Sequence, residues 1–308
     1  MVGTVETGSN ARPNSGTDAG AGYKVRSRFF SPSQAFDGCF TTFYHMNLEV
    51  EDDATLTDFL QPEWANIRFF AGSCPIADID DSRVSRVRFS ATGPSSRPCR
   101  FELGSSRMWG VGFLPLGWAR FIDVDARDLA NVVCDGDTHP AFAKFSRLAE
   151  ALCDDSASDD QQLAAIEECM HHLMRPNRDE PKVKRIHEAL VEPSLASVDD
   201  LAQASGMSVR TLERVCRRYF GFTPKLLMRR QRFMRTLSAW MLHGRRLWTD
   251  AMDDHYHDQA QFTREFKEFM TMNPSEYAAL DHPILASFME ARARIWGSAA
   301  QTLDKPVR

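Results

Sequence analysis

The side chains with the clearest chemistry in this sequence are arginines and lysines, and the chemistry they suit is the neutralisation of phosphate groups. The segment Ser208–Arg246 holds 11 basic residues and one acid, Glu213. Residues 182–308 hold 20 Lys and Arg against 15 Asp and Glu, whereas residues 1–181 hold 17 against 27. A basic block of this density is typical of a nucleic-acid-binding surface, and the simpler alternative is a solvated basic helix face.

Candidate catalytic and metal-binding residues do not form a recognisable site. His255 and His257 are close in sequence but fall in a predicted turn between helices. Asp78, Asp80 and Asp81 lack the spacing of a calcium-binding loop. The sequence has neither a serine nucleophile elbow nor a glycine-rich phosphate loop. We therefore expect no enzymatic activity, no cofactor and no bound metal.

The composition is that of an ordinary globular protein. With 308 residues, of which 43% are hydrophobic and 26% charged, the chain is long enough for about two domains. Its seven cysteines are dispersed without paired spacing, which argues against a disulfide framework and favours a reducing compartment. The sequence shows no apolar stretch of membrane-spanning length and no signal-peptide pattern, so we expect a cytoplasmic protein and no membrane partner.

The first arginines of the basic block lie in a predicted helix-turn-helix. Ser197 and Asp200 have the spacing of a capping box that starts one helix, and Gly206 suits the left-handed corner of a tight turn. Ser208 then caps a second helix. The inner face of this helix would hold Leu212, Val215, Cys216 and Tyr219, and its outer face Arg210, Arg214, Arg217 and Arg218. The second helix of such a motif enters the major groove of DNA.

A long helix is predicted to follow and to carry a second motif. Pro224 suits its first position, and about 20 residues up to Gly244 would form a rod of about 30 Å. This length is close to the ~34 Å between successive major-groove faces of DNA. The seam that runs along the rod would consist of Leu226, Arg230, Phe233, Leu237 and Trp240. Beyond it, a short helix over Thr249–Asp253 and a helix capped by Asp258 form a second helix-turn-helix, which Asn273 and Pro274 close.

Two strings in this region resemble the AraC/XylS family of bacterial transcription regulators. They are LAQASGMSVRTLERVCRRYFGFTP and DQAQFTREFKEFMTMNPSEY, and with the basic helix between them the resemblance covers residues 183–282. It implies a seven-helix domain that inserts two recognition helices into adjacent major grooves. His255 and Thr271 stand where the family usually has glycine. Because Thr is disfavoured at positive φ, we expect a less regular second motif.

The motifs and the resemblance assign roles to the outer helix faces. Arginine can donate two hydrogen bonds to guanine, and glutamate can accept one from cytosine. The predicted base-reading residues are Arg210, Thr211, Glu213, Arg214, Gln259, Gln261 and Arg264. The predicted phosphate contacts are Ser208, Arg217, Arg218, Lys225, Arg229, Thr263 and Lys267. Simple solvation of these side chains is the alternative.

The N-terminal part is predicted to be β-rich with trailing helices. Thr, Phe and Tyr alternate along Phe40–Val50 with the period of a strand. Shorter apolar runs at 67–69, 87–89, 101–103 and 109–113 favour a small barrel or sandwich. Helices are predicted over His139–Cys153 and, capped by Asp160, up to residue 174; they would pair between subunits or pack on their own barrel. The fold class is therefore α+β in two domains, with an all-α C-terminal domain.

These features divide the chain into five segments. They are a flexible tail over residues 1–24, an effector-sensing or dimerisation domain over 25–175, a linker over 176–182, the DNA-binding domain over 183–282 and a C-terminal extension over 283–308. In the AraC/XylS family, a domain in the second position often binds a small molecule, commonly as a cupin-like barrel. The cupin metal motif is missing here, so shape and hydrogen bonds would hold an effector. The aromatic candidates are Tyr44, Trp64, Trp109 and Trp118, with core packing as the alternative.

The sequence thus predicts a cytoplasmic, nucleoid-associated transcription regulator that is not an enzyme. Its expected partners are double-stranded DNA, a small-molecule effector, RNA polymerase and a second copy of the chain. The main alternative is an enzyme or covalent sensor domain that the C-terminal domain brings to DNA. Cys99 lies in a setting similar to the reactive cysteine of alkyl-transfer repair proteins, but their following histidine is absent. A third interpretation is an interaction protein whose second motif no longer binds DNA.

Overall fold

The computed structural model of the chain describes residues 7–9, 22–242 and 247–306. Its strands are β1 (Thr7–Ser9), β2 (Tyr23–Phe30), β3 (Phe40–Val50), β4 (Leu56–Leu60), β5 (Ala65–Gly72), β6 (Ile76–Ile79), β7 (Ser82–Ser85), β8 (Phe89–Thr92), β9 (Cys99–Leu103), β10 (Ser106–Phe113) and β11 (Val133–Asp135). Its α-helices are α1 (Pro115–Phe121), α2 (Ser146–Leu152), α3 (Asp159–Leu173), α4 (Glu180–Val191), α5 (Val198–Ala204), α6 (Val209–Tyr219), α7 (Pro224–Leu242), α8 (Trp248–Ala251), α9 (Gln259–Met270), α10 (Pro274–Ala278) and α11 (Leu285–Trp296). The strands precede α2 and the later described chain is helical, which confirms the predicted α+β class.

The strands form two antiparallel sheets. The larger sheet has the order β1-β2-β3-β10-β5-β8-β11, and the smaller sheet has the order β4-β9-β6-β7. Met46 and Phe70 of the larger sheet belong to the same buried cluster as Phe101 and Leu103 of the smaller one. The two sheets therefore pack face to face, and the predicted β-rich N-terminal half is confirmed.

Alternation along β3 explains how the larger sheet buries both of its faces. Tyr44 and Met46 belong to the cluster between the sheets, whereas Phe43 belongs to the cluster on the opposite face. Successive strand residues point to opposite faces, so a strand covered on both sides needs apolar residues at odd and even positions. Ile166 of α3 lies in the cluster of Phe43. The trailing helices therefore pack on their own domain, which is one of the two predicted arrangements.

The seven helices α4–α10 form the C-terminal unit, and their starts follow the sequence signals. Ser197 and Asp200 form the predicted capping box at the start of α5. The side chains of Ser208 and Asp258 each accept a backbone N–H three residues further on, at the starts of α6 and α9. Gly206 has a φ of +67° in the turn between α5 and α6. Each of these caps typically contributes about 1 kcal/mol to helix stability.

The long helix α7 is the predicted rod. It has 19 residues, which correspond to about 28 Å. Phe233, Leu237 and Trp240 are buried along it, as the seam predicts. The predicted end at Gly244 lies outside the described residues, and within them no helix is both long and apolar enough to cross a lipid bilayer.

The two trailing helices start at different residues from those predicted. The helix expected from His139 begins only at Ser146, because residues 143–145 form a 3-10 turn. The second helix is capped by Ser158 rather than Asp160, since the Ser158 side chain accepts the backbone N–H of Gln161. Both differences concern helix ends, and at α3 the neighbouring polar residues Ser158 and Asp160 compete for the capping position.

The two positions at which the family usually has glycine behave differently from each other. Thr271 has a φ of 59° and ends α9 in the left-handed region, as expected for a residue in a glycine position. His255 is not among the described residues with positive φ. Its backbone N–H donates instead to the carboxylate of Asp253 at 3.0 Å, so this turn does not need a glycine.

The expected tail and linker take part in the fold where they are described. Most of residues 1–24 lie outside the described residues, but Thr7–Ser9 pairs with β2, which begins at Tyr23. In the expected linker, α4 starts at Glu180. The Nη2 atom of Arg120 in α1 donates to both carboxylate oxygens of Glu180, at 2.8 and 2.7 Å. The start of α4 is thereby fixed to the N-terminal unit.

The C-terminal extension closes one side of the N-terminal unit. Helix α11 packs against β2 and β4. The carboxylate of Asp58 in β4 accepts the backbone N–H groups of Ile284 and Leu285, at 2.9 and 2.7 Å. Its other oxygen lies 3.2 Å from Nδ1 of the buried His282. Residues after 282 therefore serve as a wall of the N-terminal unit as well as a continuation of the helical one.

Candidate nucleic-acid interface and effector cavity

The first recognition helix, α6, presents a basic outer face. Leu212 and Val215 are fully buried on its inner side, which leaves the opposite side in solvent. The exposed residues are Ser208, Arg210, Glu213, Arg214 and Arg217, and Thr211 and Arg218 are half-buried at the edge. The residues predicted from the first motif therefore lie together on one face.

The same face includes an apolar residue that the sequence analysis missed. Val209 is the first residue of α6, and 37% of its surface is exposed. The cap by Ser208, which accepts the backbone N–H of Thr211 at 3.3 Å, fixes the turn that carries it. An exposed apolar side chain in this turn can contact the methyl group of thymine. Its position directly after a capping serine is the sequence signal that points to it.

Acidic residues outside the motif lie next to two arginines of α6. Nε of Arg218 lies 3.5 Å from a carboxylate oxygen of Asp125, and Nη1 of Arg214 lies 3.9 Å from Asp179. Burial of the Asp179 carboxyl opposes its ionisation, but hydrogen bonds from Lys182 and other neighbours lower its pKa. The charges of these two arginines are thus partly balanced within the chain.

The second recognition helix, α9, repeats the arrangement with fewer charges. Phe262 and Phe266 are buried on its inner side. Its exposed residues include Gln259, Thr263, Arg264 and Lys267. Gln261 is half-buried, and its side-chain oxygen accepts the backbone N–H of His257 at 3.0 Å. Gln261 therefore also helps to hold the turn before α9.

Arg229 does not lie with the predicted phosphate contacts. Its Nε donates to Glu265 at 2.9 Å and its Nη1 to Glu268 at 3.1 Å, both in α9. Burial of the guanidinium acts to lower the pKa of Arg229, but the two carboxylates outweigh this effect and raise the pKa. The phosphate assignment of Arg229 is therefore not retained, because its charge joins α7 to α9.

The other arginines of α7 are also used inside the fold. Nε of Arg235 lies 2.6 Å from Asp253, and Arg232 donates to the backbone oxygen of His255 at 3.1 Å. Arg230 is fully buried. Among the described residues, the basic block thus has an exposed group, made up of the α6 arginines and Lys225, and an internal group of four arginines along α7.

Of the four aromatic effector candidates, Tyr44 is the one that lines the cavity between the sheets and α11. Trp64 packs under the guanidinium of Arg230. The indole N–H groups of Trp109 and Trp118 donate to Gln162 at 2.7 Å and to the Val124 carbonyl at 2.9 Å. The alternative of core packing therefore describes the three tryptophans.

The cavity has a volume of about 120 Å³. Apolar side chains that line it come from both sheets, α7 and α11, and include Met46, Phe101, Met108, Met234 and Phe288. Polar side chains that line it include Thr42, Asn66, Arg68, Ser90 and Thr92. Because these segments are far apart in sequence, the cavity exists only when the C-terminal helices are docked on the sheets.

A hydrogen-bonded network fixes the polar side of the cavity. Nη2 of Arg68 donates to both carboxylate oxygens of Glu63 at 2.8 and 2.9 Å, and its Nε donates to the Tyr44 hydroxyl at 3.0 Å. The Tyr44 hydroxyl donates in turn to Asn66 at 3.2 Å, and burial raises the pKa of Tyr44. A Cβ at Gly110 would lie 2.0 Å from the Tyr44 ring, so the position of this ring requires glycine in β10.

The residues of the enzymatic alternatives do not form a reactive site. Cys99 lines the cavity, but burial raises the pKa of its thiol to about 12, so it is not a thiolate at neutral pH. In the described part of the chain, no three or more His, Cys, Asp or Glu side chains are grouped to hold a metal ion.

Comparison with known proteins places a known domain over the two motifs. Residues 201–279 match the sequence model of a family described as a helix-turn-helix domain. YkgA of Escherichia coli K12, whose name assigns it as an HTH-type transcriptional regulator, is 30% identical over 91 residues. This match covers 30% of the present chain and 38% of YkgA, so the chain matches well under half of that relative's length.

Two solved structures match the chain at low sequence identity. ToxT from Vibrio cholerae is 10% identical, with 73% of this chain and 94% of ToxT covered and a TM-score of 0.41. The AraC-like transcriptional activator CuxR is 13% identical, with 68% and 80% covered and a TM-score of 0.30.

The family match and the capped helix pairs define residues 201–279 as a helix-turn-helix domain. Two such motifs are joined by one long helix, which is the arrangement that the resemblance to the AraC/XylS family implies.

Proposed function

We propose that this protein is a sequence-specific transcription regulator that binds double-stranded DNA with two recognition helices. The observation that carries the proposal is the pair formed by α6 and α9. Each helix starts at a side-chain cap, buries an apolar inner face and exposes a polar outer face. The rod between them, α7, is about 28 Å long, close to the ~34 Å between successive major-groove faces.

We assign the contacts from the exposed faces. Base reading is assigned to Val209, Arg210, Thr211, Glu213, Arg214, Gln259, Gln261 and Arg264. Phosphate contact is assigned to Ser208, Arg217, Arg218, Lys225, Thr263 and Lys267. Arg229 is excluded because its charge is balanced by the carboxylates of α9. The charge density of α6 makes it the dominant reading helix, since α9 exposes fewer cations.

We further propose that the cavity between the sheets and α11 binds a small-molecule effector. Its wall includes Met234 of α7, the helix that connects the two motifs. The N-terminal unit also contacts the second motif directly, because Arg97 donates to the backbone oxygen of Glu268 in α9. A change at the cavity can therefore alter how the two recognition helices are held.

The enzymatic alternative has less support than a regulator. The buried Cys99 thiol is protonated at neutral pH, and the exposed polar faces lie on DNA-binding motifs rather than around a reactive group. We also include in the proposal a cytoplasmic location, action at promoters with RNA polymerase and a homodimeric form, all of which the family resemblance implies.

The test is selection of genomic fragments by the purified full-length protein at about 150 mM salt, followed by sequencing. We expect two short boxes about 10 base pairs apart. A single box would mean that α9 does not read bases. Fragments bound without sequence preference, by the full chain and by residues 182–308 alike, would overturn the proposal.

A further inference from the structure

The cavity between the sheets and α11 has a chemical character that specifies its ligand. We infer that it binds a small uncharged molecule with an apolar body the size of one aromatic ring and one hydrogen-bond donor. This inference rests on the proposed effector role of the cavity and adds the class of the ligand. Its size, the balance of its charges and one unpaired oxygen carry the argument.

The volume of the cavity limits the size of the ligand. It measures about 120 Å³, and an apolar cavity of about 150 Å³ in another protein holds one benzene molecule. Phe288 of α11 forms an edge-to-face contact with Tyr44, with ring centres 5.0 Å apart. A third aromatic ring, that of the ligand, can pack in the same way against these two side chains. The ligand body therefore matches a single ring rather than a long chain.

The charges around the cavity are already paired. The Arg68 guanidinium holds both oxygens of Glu63, at 2.8 and 2.9 Å. Arg292, which lines the cavity from α11, pairs with Asp304 and donates to the Ser298 carbonyl at 2.7 Å. A charged ligand would thus be an additional, unpaired ion in a buried site, which is strongly unfavourable.

One polar atom in the wall has no partner. The side-chain oxygen of Gln301 is buried without a hydrogen bond among the described residues, and Gln301 lines the cavity. The Tyr44 hydroxyl, by contrast, already accepts from Arg68 and donates to Asn66. A hydroxyl group on the ligand would donate a hydrogen bond to the Gln301 oxygen. This bond would be favourable because a buried acceptor without a donor costs free energy.

The test is isothermal titration of the full-length protein with three probes that share one ring and differ in charge. Phenol is neutral and carries a donor, benzoate is an anion and benzylamine is a cation near neutral pH. We expect phenol to bind at least about tenfold more tightly than either ion. Benzoate or benzylamine binding as tightly as phenol would overturn the inference, and so would the absence of phenol binding.

A pair of variants tests the role of Gln301. Gln301→Leu keeps a side chain of similar size and removes the acceptor, so we expect phenol affinity to fall about tenfold. The matched control is Gln34→Leu at an exposed position away from the cavity, which should leave phenol affinity unchanged. Equal phenol affinity in the two variants would contradict the assigned hydrogen bond.

The same protein samples separate this inference from the proposed function. Each is also assayed for binding to its selected DNA fragments. Intact sequence-specific DNA binding without phenol binding would overturn the ligand inference alone. Phenol binding without sequence-specific DNA binding would overturn the proposed function and leave the ligand class standing.

Discussion

The guanidinium carbon of Arg230 lies 3.9 Å from the ring centre of Trp64, and this contact joins the helix that carries both DNA-binding motifs to the N-terminal unit. Nη1 of Arg230 also donates to the backbone carbonyl of Ser95, at 2.9 Å. Burial lowers the pKa of Arg230 to about 9, so the side chain is a cation at neutral pH. The indole face is therefore an electrostatic partner of a buried charge, together with the Ser95 carbonyl.

The first prediction concerns the coupling between these two residues. Trp64→Leu should lower the free energy of unfolding by about 2 kcal/mol more in the wild-type background than in the Arg230→Met background. The reason is that the substitution removes a cation–π interaction only where the cation is present. The free energies of unfolding of the wild type, both single variants and the double variant, from urea titrations, give this coupling energy. Additive effects within about 0.5 kcal/mol would show that the contact is ordinary packing.

The second prediction concerns the acid beside the first recognition helix. Asp125 lies 3.5 Å from Arg218 and is close to the proposed phosphate contacts. Asp125→Asn should raise DNA affinity about threefold at low salt and less at about 200 mM, because it removes a charge that repels phosphate. Fluorescence anisotropy with a selected fragment measures the effect.

The matched control for this prediction is Asp123→Asn. It removes the same charge from the same loop, but Asp123 pairs with Lys144 and Arg175 rather than with α6. An equal rise in affinity for both variants would point to net charge and count against a specific role of Asp125.

Local sequence signals predicted the helical motifs and β3 correctly because those signals act within a few residues. Ser208 and Asp258 accept N–H groups three positions away, and Phe40–Val50 alternates within one strand. Such patterns do not depend on the rest of the chain. The two helix-turn-helix motifs and the β-rich first half followed from them, whereas the seven-helix domain came from the family resemblance.

Functions that depend on distant partners were not predictable in the same way. Arg229 is an arginine in a basic segment, which favours a phosphate contact, but its partners Glu265 and Glu268 are 36 and 39 residues away. The cavity is formed by Tyr44 and Phe288, which meet only after the whole chain has folded. Charge density in a sequence therefore overestimates an exposed basic surface when acids on another helix can pair with it.

The third prediction separates base reading from phosphate contact. Arg210→Ala should cost about 1–3 kcal/mol at the selected site and relax the sequence preference at one base pair. Lys225→Ala should weaken binding to all sequences alike. It should also make the plot of log affinity against log salt concentration shallower by about one, because one phosphate contact is lost. Both side chains are exposed, so stability should not change. Competition binding against single-base variants of the site distinguishes the two results, and an unchanged preference in Arg210→Ala would refute its assignment.

The fourth prediction concerns the backbone at the end of α9. Thr271 adopts a φ of 59°, a region in which a β-branched side chain is strained and glycine is not. Thr271→Gly should therefore raise the free energy of unfolding by about 1 kcal/mol. The control is Thr263→Gly in the middle of the same helix, which should lower it by about 0.3 kcal/mol. Destabilisation by both variants would mean that the side chain of Thr271 matters more than its backbone.

The fifth prediction concerns the pH dependence that His187 gives to the fold. His187 in α4 is buried next to Trp64, with ring centres 5.8 Å apart. Burial lowers its pKa from the usual 6.5 to about 3. Between these values the unfolded chain binds a proton that the folded chain does not, so stability must fall as the pH falls below 6.5.

From pH 6.5 to pH 5 this group alone should remove about 2 kcal/mol of stability. The His187→Phe variant lacks this titrating group. Its loss of unfolding free energy between about pH 6.5 and pH 5 should therefore be smaller than that of the wild type by the same amount, whatever its stability at neutral pH. The control is His172→Phe, which removes an exposed histidine and leaves His187 in place. Urea unfolding at the two pH values gives the difference directly. Parallel losses in wild type and His187→Phe would mean that His187 accepts a proton in the folded protein, and that burial does not keep it neutral.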